Sequence, residues 1–402
     1  MQKKQFALGA ALGLVLASAA QAQSPIQVKI GVLNDRAGLY SDITGEGSAI
    51  AARMAVEDAK VADKGIKVEV LAGDHQNKPD VGSSIARQWI DQDGVDVIAD
   101  VPTSSVALAV NQVVREKNKI FLNSGAGSSD LTGKQCSPNT VHWTYDTWAL
   151  ANGTGGAMVK RGGDTWFFVT ADYAFGQALE RDTSAVVTKA GGKVLGSVKH
   201  PINTSDFSSY LLQAQSSKAK VIGLANAGGD TINAIKQAGE FGITQGGQAV
   251  AGLLIFSSDI HSLGVKTAQG LVLTEAFYWD LNDKTRAFSK RFAEKNGGKM
   301  PTSVHAGVYS SVLQYLKAVA ELKSKDPEKV LAKLRSAPIE DELFGKVVLR
   351  EDGRAVHDMY LFEVKKPDES KGPWDLYKTL TVIPADQAFR PLKEGGCPLV
   401  KS

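Results

Sequence analysis

The stretch VDVIADVPTSSVALAVNQVVREKNKIFLNSGAGSS, residues 95–129, decides the fold. Its two apolar runs, Val95–Val101 and Ile120–Asn123, have the length and composition of buried strands. The segment between them, Ser105–Lys117, is predicted to be a helix, because small apolar residues recur on one face: Val106, Ala109, Val110 and Val113. Ser105 stands where an N-cap would, so the whole stretch is typical of one βαβ unit with parallel strands.

The same alternation of strand and helix continues on both sides of this unit. Upstream, the predicted elements are strands Val28–Leu33 and Val68–Ala72 and helices Thr44–Ala62 and Pro79–Asp91. Downstream, strands begin near Thr165, Val194, Val221 and Ala249, and the helices are Phe175–Ala190, Phe207–Ser217, Asp230–Phe241 and Thr302–Lys323. We therefore predict an α/β protein with two similar lobes, each built on a doubly wound parallel sheet.

The chain is predicted to cross between the two lobes three times. The candidate crossovers are His142–Asp146, Thr274–Asp280 and Gly345–Asp358, which together would form a multi-strand hinge. We assign residues 26–143 and 277–345 to the first lobe, 146–274 and 350–382 to the second, and 383–402 to a C-terminal tail. Near the third crossover, a strand, a tight turn and a second strand are predicted at Lys346–Arg350, Asp352-Gly353 and Met359–Val364.

The first 22 residues are predicted to be a cleaved secretory signal peptide. Lys3 and Lys4 precede an apolar run, Phe6–Ala20, and Ala20-Gln21-Ala22 has the small-x-small pattern of a cleavage site. The alternative is a membrane anchor, but the run is shorter than the roughly 20 residues that span a bilayer. We expect a periplasmic protein that acts as a monomer. A formal charge of +3, without clusters of Lys and Arg, gives no reason to expect a nucleic-acid partner.

The chain contains two cysteines, Cys136 and Cys397. In an oxidising compartment such a pair usually forms a disulfide, which here would tie the tail, residues 383–402, back to the first lobe. The alternative is two free thiols. A redox-active motif is not indicated, because there is no C-x-x-C.

Motifs for catalysis and cofactors are missing from the sequence. No G-x-G-x-x-G follows the first strand, and there is no P-loop and no G-x-S-x-G. The six histidines are scattered without metal-ligand spacing, so no metal and no cofactor are expected. The acids near strand ends are more often helix and loop caps than catalysts: Asp35, Asp74, Asp100, Asp130 and Asp172. We therefore do not expect an enzyme, although an α/β enzyme stays open as an alternative.

Loops at the carboxyl ends of the strands are the predicted ligand site. Two of them place hydroxyls and small residues directly before a helix: Thr103, Ser104 and Ser105 in one, and Gly125, Ala126, Gly127 and Ser128 in the other. Helix N-termini, hydroxyls and glycine amides can hold a carboxylate without an arginine. The alternative is that Ser105 and Ser128 only cap their helices.

Aromatic residues stand near the same loops. Tyr40 follows the first strand, and Tyr173 and Phe175 follow the strand that begins at Thr165. Such residues could stack on the body of a flat or apolar ligand, or they could be ordinary packing. Four further aromatics near the crossovers are expected to pack in the hinge: Trp148, Phe277, Tyr278 and Trp279.

These loops resemble a known family. The resemblance rests on Ile30-Gly31-Val32-Leu33 with Gly38 and Tyr40, then Asp130-Leu131-Thr132, Asp172-Tyr173-Ala174-Phe175-Gly176 and Gln237-Ala238-Gly239-Glu240-Phe241-Gly242. Together with the signal peptide and the tandem lobes, they resemble the type I periplasmic substrate-binding proteins of ABC importers, in the Leu/Ile/Val-binding group. The resemblance covers essentially the whole mature chain.

The resemblance implies a function and a set of ligand-binding residues. Proteins of this kind capture a solute by lobe closure and deliver it to a membrane permease. The carboxylate-holding serine of the group falls on Thr103–Ser105, in particular Ser104, and its next donors fall on Gly125, Ala126 and Gly127. A threonine is usual where Gly127 stands, and Ser128 could substitute for it. The tyrosine of the second lobe falls on Tyr173 or Phe175.

Two departures from the family pattern concern the ligand. In the amino-acid binders of this group, an acidic residue contacts the ammonium of the ligand, but the corresponding stretch here, Leu253–Phe256, is apolar. A second tyrosine of the group corresponds to the small residues around Gly228. Because an ammonium buried without an acid would cost several kcal/mol, we expect a carboxylate ligand without an α-amine, in the manner of an aromatic-acid binder. Asp230 or Asp259 could still supply the acid, so an amino acid stays open. A ligand-sensing module is an alternative function, because the fold alone does not distinguish it from a transport protein.

Overall fold

In a computed structural model of the protein, residues 25–401 are described, and the predicted signal peptide, residues 1–22, lies outside them. The strands are β1 (Ile26–Asn34), β2 (Ile66–Asp74), β3 (Val97–Asp100), β4 (Ile120–Asn123), β5 (Thr140–His142), β6 (Thr165–Ala171), β7 (Lys193–His200), β8 (Val221–Ala225), β9 (Ala249–Gly252), β10 (Val272–Glu275), β11 (Ile339–Asp341), β12 (Gly345–Leu349), β13 (Ala355–Val356), β14 (Met359–Val364) and β15 (Tyr377–Ile383).

The α-helices are α1 (Gly45–Ala59), α2 (Pro79–Asp91), α3 (Ser104–Glu116), α4 (Thr147–Leu150), α5 (Gly156–Lys160), α6 (Ala174–Lys189), α7 (Ser208–Ser216), α8 (Gly229–Glu240), α9 (Ser257–Leu263), α10 (Val265–Ala268), α11 (Asp283–Lys295), α12 (Ser303–Leu322), α13 (Pro327–Arg335) and α14 (Ala385–Ala388). Within residues 25–401 we find no helix with the length and apolarity needed to cross a membrane.

Two parallel sheets form the centre of the molecule. The first sheet has the strand order β2-β1-β3-β4-β5, and the second sheet has the order β7-β6-β8-β9. In each sheet the strand order changes direction beside the strand that comes first in the chain, β1 in one sheet and β6 in the other. This is the doubly wound arrangement. In other α/β proteins, ligands bind beside such a change of direction. This confirms the predicted α/β class with two similar sheets, and α2 and β4 have the predicted bounds.

Two predicted helix ends are wrong by a few residues. The first helix ends at Ala59 rather than Ala62, because Lys60 takes a left-handed conformation with φ 47° and a short 3-10 turn follows. Helix α3 begins at Ser104, so Thr103 rather than Ser105 stands at the N-cap, and it makes no side-chain capping bond. The first amides of α3 are therefore left without a side-chain partner.

The strand, tight turn and strand predicted near the third crossover are confirmed, but the two strands do not pair with each other. Strand β12 pairs with the short strand β13 across the turn at Asp352-Gly353, which is closed by Arg350 N–H donating to the Arg354 carbonyl at 2.9 Å. Strand β14 instead pairs with β10 and β15 in a separate antiparallel sheet. Apolar side chains of that sheet, such as Phe362, are buried with residues of the second sheet, so tertiary packing decides the partner of β14.

Several elements connect the two sheets. Helix α12 is buried along almost its whole length and packs on α1 beside the first sheet. After β5 the chain runs through His142–Asp146 into α4, and His142 forms a bridge with Arg354 from the third predicted crossover. These contacts are those of a multi-strand hinge, whereas the predicted lobe limits stay a prediction.

The predicted disulfide is confirmed between Cys136 and Cys397, whose Cα atoms lie 5.7 Å apart. The tail that it anchors is held by further contacts. The Arg390 guanidinium donates to the Ser129 carbonyl at 3.0 Å, and the Phe389 ring lies 4.3 Å from the Arg354 guanidinium. The tail therefore covers both the loop after β4 and the back of the hinge.

Candidate functional site

The carboxyl ends of the two sheets face each other across a small cavity of about 20 Å³. Five of the residues that the sequence singled out line it: Tyr40, Gly125, Gly127, Tyr173 and Phe175. Six further residues complete the lining: Ile43, Pro102, Tyr145, Ala227, Leu254 and Phe256. This volume holds about one water molecule, so the cavity walls must move apart before a small organic ligand can enter.

The two halves of the cavity touch each other, so the structure is closed around it. The hydroxyls of Tyr40 and Tyr173 are hydrogen-bonded at 2.7 Å, although the first follows β1 and the second follows β6. Gly228, with φ +58°, brings its backbone against the Tyr40 loop, and a Cβ there would lie 2.9 Å from the Leu39 carbonyl oxygen. Glycine alone tolerates both a positive φ and this close backbone contact, which explains why Gly228 precedes α8.

Aromatic rings form most of the cavity wall. Tyr145 meets Phe256 edge to face with ring centroids 5.7 Å apart, and Tyr173 lies 6.1 Å from Phe175. Burial raises the pKa of Tyr40, Tyr145 and Tyr173 well above the usual range, so their hydroxyls stay protonated at neutral pH. The wall therefore combines flat apolar surface with neutral hydroxyl groups.

Three helices begin beside this cavity with uncapped N-termini. The N-cap residues of α3, α6 and α8 are Thr103, Tyr173 and Gly228, and none of them accepts a hydrogen bond from its own first turn. A helix N-terminus carries a partial positive charge and free N–H groups, and both favour an anion. Together the three helices bias the cavity towards a negatively charged ligand.

The glycine loop after β4 supplies further backbone groups. Tyr145 donates its hydroxyl to the Gly125 carbonyl at 2.5 Å, and the Gly127 carbonyl accepts the Thr147 N–H at 2.8 Å. The Ala126 N–H is bonded to the Asn123 side chain at 2.9 Å, and Ala126 does not line the cavity. Within this loop, Gly125 and Gly127 are the residues that line the cavity.

The hydroxyl residues that the sequence singled out lie behind the cavity lining and tie the loops together. Thr103 donates to the Asn77 side chain, and Ser104 Oγ accepts the Ser128 N–H at 3.1 Å. Ser128 Oγ accepts the Asp130 N–H at 3.3 Å, which is a local cap. Ser105 is half-buried on α3. In this closed structure these groups connect α3 to the glycine loop.

No acidic side chain is among the residues that line the cavity. Asp230 accepts the N–H groups of Asn203 at 3.1 Å and Thr204 at 2.8 Å, and Asp259 accepts the Phe256 N–H at 2.9 Å. Burial raises the pKa of both carboxyls to about 7. Both acids thus accept hydrogen bonds from the backbone of neighbouring loops. The part of the cavity wall that Leu254 and Phe256 form is apolar.

Sequence reasoning missed Tyr145, whereas it placed the apolar stretch Leu253–Phe256, which contains the lining residues Leu254 and Phe256, beside the ligand. Tyr145 lies in the predicted crossover His142–Asp146. Its position as an aromatic residue beside the predicted hinge could have identified it as a ligand contact. The aromatics expected to pack in the hinge lie outside the lining. Tyr278 and Trp279 both donate to the Trp374 carbonyl at 2.7 Å, and Phe277 is buried in the core.

Comparisons with known proteins agree with this architecture. The family model for periplasmic binding proteins matches residues 27–372. A periplasmic binding protein from Burkholderia mallei is 53% identical with a TM-score of 0.91, covering 93% of this chain and 99% of that one. A periplasmic ligand-binding protein of a branched chain amino acid ABC transporter from Burkholderia xenovorans LB400 is 41% identical with a TM-score of 0.83, covering 93% and 100%.

A more distant solved structure shares the fold alone. It is the solute-binding protein of an ABC transporter from R. palustris in complex with benzoate, 20% identical with a TM-score of 0.80, covering 93% of this chain and 100% of that one. The family and the fold are those of solute-binding proteins rather than of enzymes. By its sequence match and its two-sheet fold, the chain belongs to the periplasmic binding protein family and is of the branched-chain amino acid ABC transporter type.

Proposed function

We propose that the protein captures a small carboxylate without an α-amine, in particular an aromatic acid, and delivers it to the permease of an ABC importer. One observation carries the proposal: three uncapped helix N-termini meet at a cavity whose lining contains no acidic side chain. The helix ends favour the carboxylate. An ammonium would have to be buried against Leu254 and Phe256 without a counter-charge, which is costly.

The shape of the cavity supports an aromatic body for this ligand. Tyr145, Phe175 and Phe256 line the cavity with ring surfaces, and such surfaces favour stacking on a flat ligand. The benzoate-bound protein from R. palustris has the same fold, and benzoate is a carboxylate with one ring. Benzoate is therefore the first probe for this cavity.

Capture would work by closure of the two sheets on the ligand. Residues from both sheets line the cavity, and the Tyr40–Tyr173 hydrogen bond joins them at 2.7 Å. A ligand that touches both halves favours the closed state by the difference in its affinity for the two states. The closed form would then dock on the permease.

Binding of a branched-chain or other amino acid is the second candidate. The relative from B. xenovorans is described as part of a branched chain amino acid transporter. Asp230 stands in the first turn of α8 directly behind Ala227 and Gly228, so an ammonium could reach it if the loop of Asn203 and Thr204 moved. This candidate requires a rearrangement that the carboxylate proposal does not.

Thermal unfolding with a ligand panel tests the proposal. The mature protein is heated with leucine, valine, benzoate, 4-hydroxybenzoate or an aliphatic acid in excess. At a hundred times Kd, a bound ligand stabilises the fold by roughly 2.7 kcal/mol, which raises Tm measurably. We expect a rise with the aromatic acids. A rise with leucine or valine alone would instead establish the amino-acid candidate.

A further inference from the structure

Asp100, at the end of β3, is a buried carboxyl that lacks a full set of partners. Its side chain is 0% exposed. Oδ2 accepts a hydrogen bond from the Asn34 amide at 3.0 Å, whereas Oδ1 has no hydrogen-bond partner among residues 25–401. Asp100 and Val101 both have positive φ, 79° and 57°, which is unfavourable for residues with a side chain. The strand end is therefore strained, and strain of this kind concentrates at functional sites.

The unpartnered oxygen lies directly beneath the ligand cavity. A Cβ built on Gly125 would lie 2.7 Å from Asp100 Oδ1, and Gly125 itself lines the cavity. The charge of Asp100 is also one of the causes that raise the pKa of the Tyr145 hydroxyl, which lines the cavity too. A negative charge on Asp100 would therefore act on any anion bound against the glycine loop.

Within residues 25–401, no cationic side chain is among the groups that shift the pKa of Asp100. Burial raises this pKa to about 7, and the Asn34 amide and the nearby Ser48 hydroxyl oppose the rise. The titratable groups at this end of the neighbouring elements include Asp35 after β1, Asp74 and His75 at the end of β2, His142 in β5, Tyr145 in the first crossover and His305 in α12. Burial lowers the pKa of His75 and His305 to about 4 and that of His142 well below its usual range, so these three are neutral at pH 6 and above.

We propose that Asp100 is a proton-binding site coupled to the ligand cavity, so that an anionic ligand is bound together with one proton on Asp100 Oδ1. The proton comes from solvent and leaves when the ligand leaves. This inference rests on the proposed function, because only a negatively charged ligand would repel the ionised form of Asp100. It also explains how an acid can lie under an anion site without a counter-charge: the acid is neutral while the site is occupied.

The sign of the pH dependence follows from this coupling. Bound anion raises the proton affinity of Asp100, and by linkage the proton on Asp100 raises the affinity for the anion. Ligand affinity is therefore highest below the pKa of Asp100 in the free protein and decreases as pH rises above it. The ligand affinity falls by up to tenfold per pH unit. The fall ends once pH exceeds the pKa of Asp100 in the complex, which the bound anion raises.

Titration calorimetry with benzoate between pH 5.5 and 8.5 tests the inference. Benzoate stays ionised in this range, since carboxylic acids without a perturbing environment ionise near pH 4. Repeating the titration at pH 8 in two buffers of different ionisation enthalpy counts the protons taken up per ligand. We expect an uptake between about half and one proton, and a benzoate affinity at least tenfold lower at pH 8.5 than at pH 6.

Asp100→Asn, which copies the neutral form of the acid, should bind benzoate at pH 8.5 as well as at pH 6 and should take up no proton. Asp341→Asn, at a buried acid of β11 that does not line the cavity, is the matched control and should keep the wild-type pH dependence. Wild-type binding without proton uptake, or an Asp100→Asn variant that keeps the pH dependence, would overturn the coupling. Loss of the pH dependence in Asp230→Asn would assign the proton to Asp230 instead. Absence of benzoate binding at every pH would count against the proposed function itself.

Discussion

The hydroxyl oxygens of Tyr40 and Tyr173 lie 2.7 Å apart and join the loop after β1 to the loop after β6 across the cavity. Tyr40→Phe and Tyr173→Phe each remove this bond. A hydrogen bond between neutral groups contributes about 1 kcal/mol, so each variant should bind benzoate about fivefold more weakly in titration calorimetry.

The double variant distinguishes a shared bond from two separate effects. Because both substitutions remove the same bond, the double variant should be about as weak as either single variant. Tyr360→Phe, on β14 and outside the cavity, is the control and should bind normally. Additive losses in the double variant would mean that the two hydroxyls act independently.

Gly127 leaves no room for a side chain between the rings of the cavity wall. A Cβ there would lie 2.8 Å from the Phe175 ring and 2.9 Å from the Tyr145 ring, so Gly127→Ala must push a ring into the ligand space. We expect at least a tenfold loss of benzoate affinity. Gly239→Ala in α8, where a Cβ meets no atom within 4 Å, should bind normally and gain up to about 1 kcal/mol of stability. Normal binding by Gly127→Ala would place the ligand away from these rings.

Ser104 connects helix α3 to the glycine loop through the Ser128 N–H, 3.1 Å from its hydroxyl. Ser104→Ala leaves this buried N–H unpaired, at a cost of about 1–3 kcal/mol. The loop that carries Gly125 and Gly127 should lose its position, and benzoate affinity should fall at least fivefold. Ser105→Ala removes the neighbouring, half-buried hydroxyl as a control and should leave affinity unchanged. Equal benzoate affinities of Ser104→Ala and Ser105→Ala would mean that the carboxylate of the ligand does not bind at this loop.

Local patterns in the sequence predicted the fold well because its elements are locally consistent. The strand Ile120–Asn123 is wholly buried, and the helix Pro79–Asp91 begins with proline, so apolar run length and start signals identified both within their observed bounds. The pairing of β14 was missed because a strand's partner depends on distant contacts, here with β10 and β15.

The candidate site was predictable only in part, for the same reason. Tyr40, Gly125 and Tyr173 follow strands, and the rule that ligands bind at the carboxyl ends of parallel strands placed them together. Tyr145 reaches the cavity only through the relative position of the two sheets, which no local pattern encodes. The positive φ of Asp100 and its oxygen without a hydrogen-bond partner among residues 25–401 are likewise not indicated by the sequence.

Buried acids should make the stability of the ligand-free protein fall as pH rises from 6.5 to 8. Burial raises the pKa of Asp259 to about 7 and that of Glu275 to about 8, whereas both ionise near pH 4 in the unfolded chain. The folded state thus holds more protons in this window, and it loses up to about 1.4 kcal/mol per pH unit for each acid. Buried histidines such as His305 act in the opposite direction only below about pH 6.5, the pKa of an unfolded histidine.

Urea unfolding at several pH values measures this effect. The midpoint should fall between pH 6.5 and pH 8, and Glu275→Gln should make the fall shallower. Glu328→Gln, at an exposed position in α13, is the control and should keep the wild-type profile. A midpoint that stays constant over this window would mean that the buried acids are already ionised in the folded protein.

The Cys136–Cys397 disulfide should contribute much of the stability of the fold, because it joins residues 261 positions apart. The chain-entropy account gives about 5 kcal/mol for a loop of this length, and losses of 2–5 kcal/mol are usual when a native disulfide is removed. The double variant Cys136→Ser and Cys397→Ser should therefore unfold at a clearly lower urea concentration. Reductant should lower the wild-type midpoint towards that of the variant and leave the variant unchanged. If reductant has no effect on the wild type, the contacts of Phe389 and Arg390 hold the tail without the disulfide.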